Sequence, residues 1–525
     1  MKKRLSVLLI LALLASLTLV PALTAHASEA DPEAMLYFST VADPITCDPA
    51  IASDGESGMV IDRVFSGLMR YNPDGSVSPE IAESYTVSED GKVYTFKIRE
   101  GITFHDGTVC DAEAVKWNYE RQMGDNATPD MPYAVSFYSP IVSVEAPDAL
   151  TFVVTLAEPN VAFLVNNAMR IGMGIASPTA FQADPEGFAR NPVGSGPYKF
   201  GEWVPDQYFT LVRFDDYILG KPVNAGITYR IIKESATRTS EMITGGLDYM
   251  GNISLDDVPA LAAAESVYLK SLPGKNIGYL AFADYAANDL FKDDRLRQAV
   301  AYALDIDTIN KGLYGDDMVT AKSIIPPIMQ GGDKEFTTLG YDPAKAQELM
   351  AEAGYPDGFS FKLLAYNVTK GYNPAAERLA VQIQAELSKV NISVEIIIKP
   401  WADFITSMYM ESPDYDAILA GWGAASNDTA YMLQLLESMN AGDGANHSGY
   451  SNPEFDALVA KAKASTDPEV IASLYAEAAQ LANNDLPVIL LGHGMEYSAM
   501  STKLINGPEW MGAWGAQDDH VEKSK

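Results

Sequence analysis

Alternating and helical hydrophobic patterns divide the chain into two differently built halves. Leu36 to Val41 is a first apolar strand, and Gly55 to Leu68 carries a helical pattern that ends in a turn at Asn72 to Gly75. Tyr94 to Ile98 and Ala149 to Leu156 alternate as half-buried strands do. Further strands with Pro and Gly between them fill Gly201 to Ile232, and a helix is predicted near Ala236 to Thr244. This half is strand-rich. From about Gly278 the period changes. Leu296, Ala299, Val300, Ala303 and Leu304 recur at 3.6 residues behind an Asp293 or Asp294 cap. Asp342-Pro343 opens another helix, with Ala346, Leu349, Met350 and Ala353 inward and Gly354 as its stop. Asn373-Pro374, Asn452-Pro453 and Asp467-Pro468 repeat that opening, because the side-chain oxygen caps free N–H groups and proline has no N–H to leave orphaned. Short apolar strands at Ile392 to Ile398, Ala417 to Ala420 and Pro487 to Leu491 alternate with these helices, which predicts an α/β lobe on a mostly parallel sheet.

The N-terminus carries a different pattern. Lys2, Lys3 and Arg4 precede an apolar run from Leu5 to Val20. Pro21 and Ala25-His26-Ala27 follow, as in a secretory leader cleaved after Ala27. The run is shorter than the ~20 residues of a spanning helix. Ser28 stands where a lipid anchor needs cysteine, so the expectation is a soluble periplasmic protein without a membrane anchor. The remaining chain is too long for one core. Hydrophobic residues at 47% and aromatics at 10% exclude disorder. The formal charge is −33 and becomes −36 when the three leader cations are removed, a balance that disfavours nucleic acid and anionic lipid as partners. It is compatible with a cationic ligand or with plain solubility. Cys47 and Cys110 are the only cysteines. Outside the cytoplasm they can pair, closing a loop of about 60 residues for roughly 4 kcal/mol, or remain as two free buried thiols.

The richest local motif is Gly101 to Arg121, GITFHDGTVCDAEAVKWNYER: a strand end, a tight Asp106-Gly107 turn, and a helix opened by Asp111. It closely resembles an element of the extracytoplasmic solute-binding proteins of ABC importers, family 5, which carry peptides, nickel and related solutes. Asn191 to Phe200 with Glu202-Trp203 resembles that family's PVGTGPY turn, and Arg297 to Asp305 its RQAxxYAxD helix. Tyr341 to Lys345, Ala353 to Phe359 and Gly449 to Asp456 resemble YDPxKA, AGYPDGF and GYSNPEFD. The matches run in order over most of residues 36 to 500. Residue by residue they are turns and caps, hence scaffold. Gly194-Ser195-Gly196 is not a nucleophile elbow, since its glycines adjoin the serine.

The resemblance implies a two-lobe α/β protein of the type II periplasmic-binding-protein fold, with the ligand cleft between the lobes. Lobe I would take 32 to 275 and 493 to 525, with an added subdomain at about 63 to 190. Lobe II would take 276 to 492. It also implies a ligand-delivering monomer that docks on membrane permease subunits and needs no cofactor. In Val368 to Pro374, Lys370 stands where dipeptide binders have the arginine that takes the ligand carboxylate, and Tyr372 matches a family tyrosine. A lysine neutralises a carboxylate as a point charge, without arginine's bidentate fork. In Ala420 to Thr429, Trp422 matches the family's aromatic, and Ala425 replaces the aspartate that pairs with a peptide's α-amino group. Ser426, Asn427 and Asp428 follow in the same loop, with Asp428 either supplying the missing charge or capping the next helix. The nickel-binding branch shares Trp-Gly-Ala, but His447, His493 and His520 show no ligand spacing and no metal site is expected. A secreted hydrolase is disfavoured, because no nucleophile, base and orienter motif appears. The expectation is a receptor for a peptide or small amphipathic solute.

Overall fold

The computed structural model describes residues 30–72, 76–160, 162–284, 288–408, 414–424, 428–441, 445–465, 467–505 and 518–524. The expected leader, 1–27, lies outside the described residues, as do Pro73, Asp74 and Gly75 of the expected turn.

One lobe is built on strands Tyr198–Val204, Tyr208–Arg213, Gly226–Ile231, Met35–Thr40 and Tyr249–Met250, adjacent in that order. Met35–Thr40 runs parallel to both Gly226–Ile231 and Tyr249–Met250, and the other two pairs are antiparallel. Leu36, Phe38, Ile227 and Tyr229 point into its core. A separate four-stranded antiparallel sheet, with Ala82–Val87, Val93–Ile98, Thr151–Leu156 and Ile141–Asp148 side by side, covers the same core. The Gly101–Arg121 element joins them. Gly107 turns at φ 83°, a conformation glycine adopts without steric cost, and Asp111 accepts from Ala114 N to open the helix Ala112–Glu120. His105 N donates to Gly194 O at 2.8 Å and its ring Nε2 lies 3.0 Å from Gly196 O, so this motif and the Gly194-Ser195-Gly196 turn brace each other.

The second lobe holds one large core running from Ile277 to Leu491. Its sheet is mixed rather than mostly parallel. Phe359–Tyr366 runs parallel to Ile392–Lys399 and to Ala417–Gly423, whereas Asn276–Phe282 is antiparallel to both its neighbours. The cause is topological: the chain enters along Asn276–Phe282 and returns along Val488–Ser501. The predicted caps form at Asp293, Asp342, Asn452 and Asp467, and Asp305 caps the helix Ile306–Tyr314 as well. Asn373 is the exception. The helix Ala376–Ser388 starts without a side-chain cap, and Asn373 Nδ2 instead donates to Ala420 O at 2.9 Å, tying its loop to the sheet.

Strand Val488–Ser501 is far longer than the Pro487–Leu491 segment expected from sequence. Its first half pairs with Asn276–Phe282 and its second half with Val267–Pro273. The chain therefore passes between the lobes twice, near 273–276 and near 492–495. Asn276 fastens the crossing: Nδ2 donates to Gly494 O at 3.1 Å, Oδ1 accepts from Gly494 N at 2.8 Å, and His493 Nδ1 lies 2.6 Å from the Asn276 carbonyl.

The cysteine bridge is not formed; Cys47 and Cys110 are free and buried. Cys47 N is tied to Ala189 O and Cys110 N to Ile102 O. Burial drives both thiols away from ionisation, Cys47 to about 12.

Burial drops the imidazoles of His105 and His447 to about 4. His105 Nδ1 has no partner among the described residues, so a second proton would find no acceptor there. An unfolded histidine protonates near 6.5. Stability supplied by these neutral rings is therefore complete above that pH and is lost as pH falls from 6.5 towards 4, on the order of 3 kcal/mol for each ring. Glu56 and Asp428, whose carboxyls burial raises, act in the opposite sense. Thermal unfolding between pH 7 and 4.5 should show a falling Tm, with a shallower fall in His105→Gln. Equal slopes would show that His105 does not contribute.

Candidate ligand-binding cleft

The turn Lys370–Asn373 lies on the crossing point of the lobes. Asn373 N donates to Lys370 O at 3.0 Å. Three glycines make room beneath it. A Cβ at Gly278 would fall 2.5 Å from Tyr372 O, at Gly421 2.0 Å from the Tyr372 ring, and at Gly494 1.9 Å from Gly371 O. The sequence thus keeps these strand positions side-chain-free so that one turn can seat against the sheet.

Lys370 is half-buried, and its ammonium sits 3.9 Å from the centre of the Trp401 ring. Trp401 stacks on Phe404 and meets Tyr366 edge-on. Burial lowers the Lys370 pKa, and the facing carboxylate of Glu56 works against that. Glu56 belongs to the other lobe, in the first turn of helix Gly55–Val64. Tyr372 is half-buried against Gly421, and burial raises its phenol pKa.

Trp422, near the end of strand Ala417–Gly423, lies 5.7 Å from Tyr431, ring centre to ring centre. Its Nε1–H is buried and has no partner among the described residues. Tyr431 packs against the main cores of both lobes, and Tyr133 of the first lobe faces it. Asp428 turns away from this wall. It accepts from Ala430 N at 3.0 Å and hydrogen-bonds Tyr475, so it opens the next helix as a cap does. Ala425, Ser426 and Asn427 lie outside the described residues.

Lys370 and Tyr372 share one turn, whose tyrosine ring is seated against Gly421, the strand neighbour of Trp422, while Asp428 bonds Ala430 at the start of the next helix. Beside that wall, the loop Ser254–Asp256 of the first lobe and residues Val368, Thr369 and Arg378 of the second enclose a cavity of about 190 Å³. Sequence reading missed Glu56, Trp401 and Tyr431. Glu56 looks like an ordinary first-turn acid beside an Asp54 cap, and Trp401 like a helix start after Pro400. His493 holds the Asn276 carbonyl, and His520 is exposed beside Asp519. Among the described residues no group of three or more His, Cys, Asp or Glu is placed to hold a metal ion, and no helix is long and apolar enough to cross a membrane.

Two curated relatives align along most of the chain. Heme-binding protein A of Haemophilus influenzae is 28% identical over 491 residues, covering 89% of this chain and 88% of its own. The dipeptide-binding protein of Escherichia coli is 29% identical over 440 residues, covering 79% and 81%. Among solved structures, a dipeptide-binding protein from Pseudoalteromonas sp. SM9913, in complex with Met-Leu, superposes with a TM-score of 0.83 at 26% identity, covering 93% of this chain and 100% of that one. It is a two-lobe fold of the same kind. The model of the bacterial extracellular solute-binding proteins, family 5, matches residues 76–444. Those residues are most of the chain, and the protein is a member of that solute-binding family.

Proposed function

We propose that the protein is a secreted, monomeric receptor that encloses a peptide or comparably small amphipathic solute between its lobes and hands it to the permease subunits of an ABC importer. It catalyses nothing. The leader is removed after Ala27, and the mature chain works unanchored in the periplasm. Lobe I comprises 32–275 and 493–525 with the subdomain at about 63–190, lobe II comprises 276–492, and closure bends the two crossing strands. The observation that carries the reading is the wall of Lys370, Trp401, Trp422 and Tyr431 facing Glu56. It combines flat apolar faces, an indole N–H unpaired among the described residues, and opposite charges on opposite lobes, as a short peptide requires. The peptide relatives support the same class. Isothermal titration with di- to pentapeptides should show saturable, one-site binding, strengthened by Trp422 stacking and weakened in Trp422→Ala. A panel giving no heat from any peptide, while another solute binds, would overturn the peptide class.

A further inference from the structure

Beyond the crossing, the strand Val488–Ser501 leaves the second lobe and pairs with Val267–Pro273 of the first, Tyr497 standing opposite Ser271. Asp317 approaches this strand from the second lobe. It follows the helix Ile306–Tyr314, its N–H donating to Tyr314 O at 3.1 Å. It precedes the strand Met318–Thr320, which pairs with Gly492, His493 and Gly494. Asp317 bonds the crossing strand at two levels. Its carbonyl accepts from Met495 N at 2.9 Å, and its carboxylate Oδ1 accepts from the Tyr497 O–H. The first bond clamps Asp317 to the point of crossing. The second reaches further along, onto the part of the strand that belongs to the first lobe. Both side chains are half-buried. Neither residue lines the interlobe cavity, and neither belongs to the turn that carries Lys370 or to the strand that carries Trp422.

Residues two apart on a strand lie about 7 Å from each other. Bending the strand between 495 and 497 therefore changes the separation of phenol and carboxylate directly. An O–H···O bond persists only over distances of about 2.5–3.0 Å, so this bond holds one interlobe angle. That angle is a closed one, because Tyr431 of the second lobe packs against the core of the first. We propose that Asp317 and Tyr497 form a hinge latch, a pair of positioning residues that stabilises the closed conformation from outside the ligand site. The latch sets how tightly the receptor holds all its solutes without choosing among them. A receptor that binds when closed has an affinity proportional to its closed fraction, so a latch that raises this fraction strengthens every ligand by the same factor. This rests on the reading above that solute is enclosed between the lobes, and it assigns that closure its own side-chain contact.

The test uses the full mature chain, the tightest dipeptide of the titration panel and the weaker solutes that also bind. Tyr497→Phe keeps the ring and removes the donor; Asp317→Ala removes the acceptor. Each should weaken every solute by one common factor of about 3- to 30-fold, the range of one hydrogen bond to a carboxylate. The ranking of solutes should stay as in wild type. The double variant should lose no more than the worse single one, since both break the same bond. Asp317→Asn, whose amide oxygen still accepts, should recover part of the loss. Small-angle X-ray scattering of ligand-free protein should give Tyr497→Phe a larger radius of gyration than wild type, and thermal unfolding checks that each variant is folded. Wild-type affinities in Tyr497→Phe, or losses that differ from solute to solute, overturn the latch and leave the receptor reading standing. If no small solute binds wild type, the receptor reading falls, and scattering alone decides the latch: equal radii overturn it.

Discussion

Replacing Glu80 by alanine should cost about 3–5 kcal/mol of lobe I stability, as much as truncating a large core side chain. The Glu80 side chain is fully buried and binds three separate segments. Its Oε1 accepts from Arg170 Nη2 at 2.9 Å and from Tyr217 O–H at 2.7 Å, and its Oε2 accepts from Gly67 N at 2.9 Å. Removing the carboxylate takes from the largely buried Arg170 guanidinium its hydrogen-bonded counter-charge, leaving only the more distant Asp62, and leaves a buried amide and phenol without this acceptor. The desolvation of Arg170 makes this loss large; a surface pair such as Lys233–Asp206, well exposed on both sides, is screened by water and would contribute far less. Removing both charges together is the informative control. Glu80→Leu with Arg170→Met should be much less destabilised than the sum of the single changes, because no isolated charge remains. Urea unfolding followed by tryptophan fluorescence measures all three. A Glu80→Ala loss under 1 kcal/mol would mean that water reaches Arg170.

How much of this was legible in the sequence depends on the range of the interaction. Caps at Asp111, Asp293, Asp342, Asn452 and Asp467 are local, and they form as read. Asn373-Pro374 has the same dipeptide signature, yet its asparagine bonds a strand carbonyl 47 residues away, a contact no local pattern encodes. Strand Val488–Ser501 could be read only as far as Leu491. Beyond it, Gly492 and Gly494 interrupt the apolar run because Met318 and Gly371 press on them. The spacing of Cys47 and Cys110 allowed a bridge, but Cys47 is tied to Ala189 and Cys110 to Ile102, and both stay buried thiols. Lys370 and Trp422 were legible through their resemblance to family positions. Glu56 and Tyr431 were not, since their importance lies in facing the other lobe.

Gly494→Ala should lower both stability and ligand affinity, because it strikes the point where the hinge meets the cleft. The new Cβ would lie 1.9 Å from the Gly371 carbonyl oxygen, far inside van der Waals contact. Relief is blocked on every side. Gly494 N and O are held by Asn276, Gly494 O also accepts from Gly274 N at 3.0 Å, and the strand pairs there with Met318. The obstacle is backbone rather than the free end of a side chain, so the turn itself must lift. Overpacking of this kind costs about 1–3 kcal/mol or more, which for a lobe of this size lowers Tm by roughly 3–12 °C. Lifting Gly371 carries Lys370 and Tyr372 with it. Affinity should therefore fall although residue 494 need not touch ligand. Gly312→Ala gives the opposite expectation. It lies inside the helix Ile306–Tyr314 with no atom within 4 Å of its added Cβ, so alanine should stabilise by about 0.5–1 kcal/mol and leave binding unchanged. Differential scanning fluorimetry and titration of the same dipeptide compare the two variants. A Gly494→Ala protein with wild-type Tm and affinity would show that the turn moves freely over the hinge, and closure would then have to be sought in a different contact.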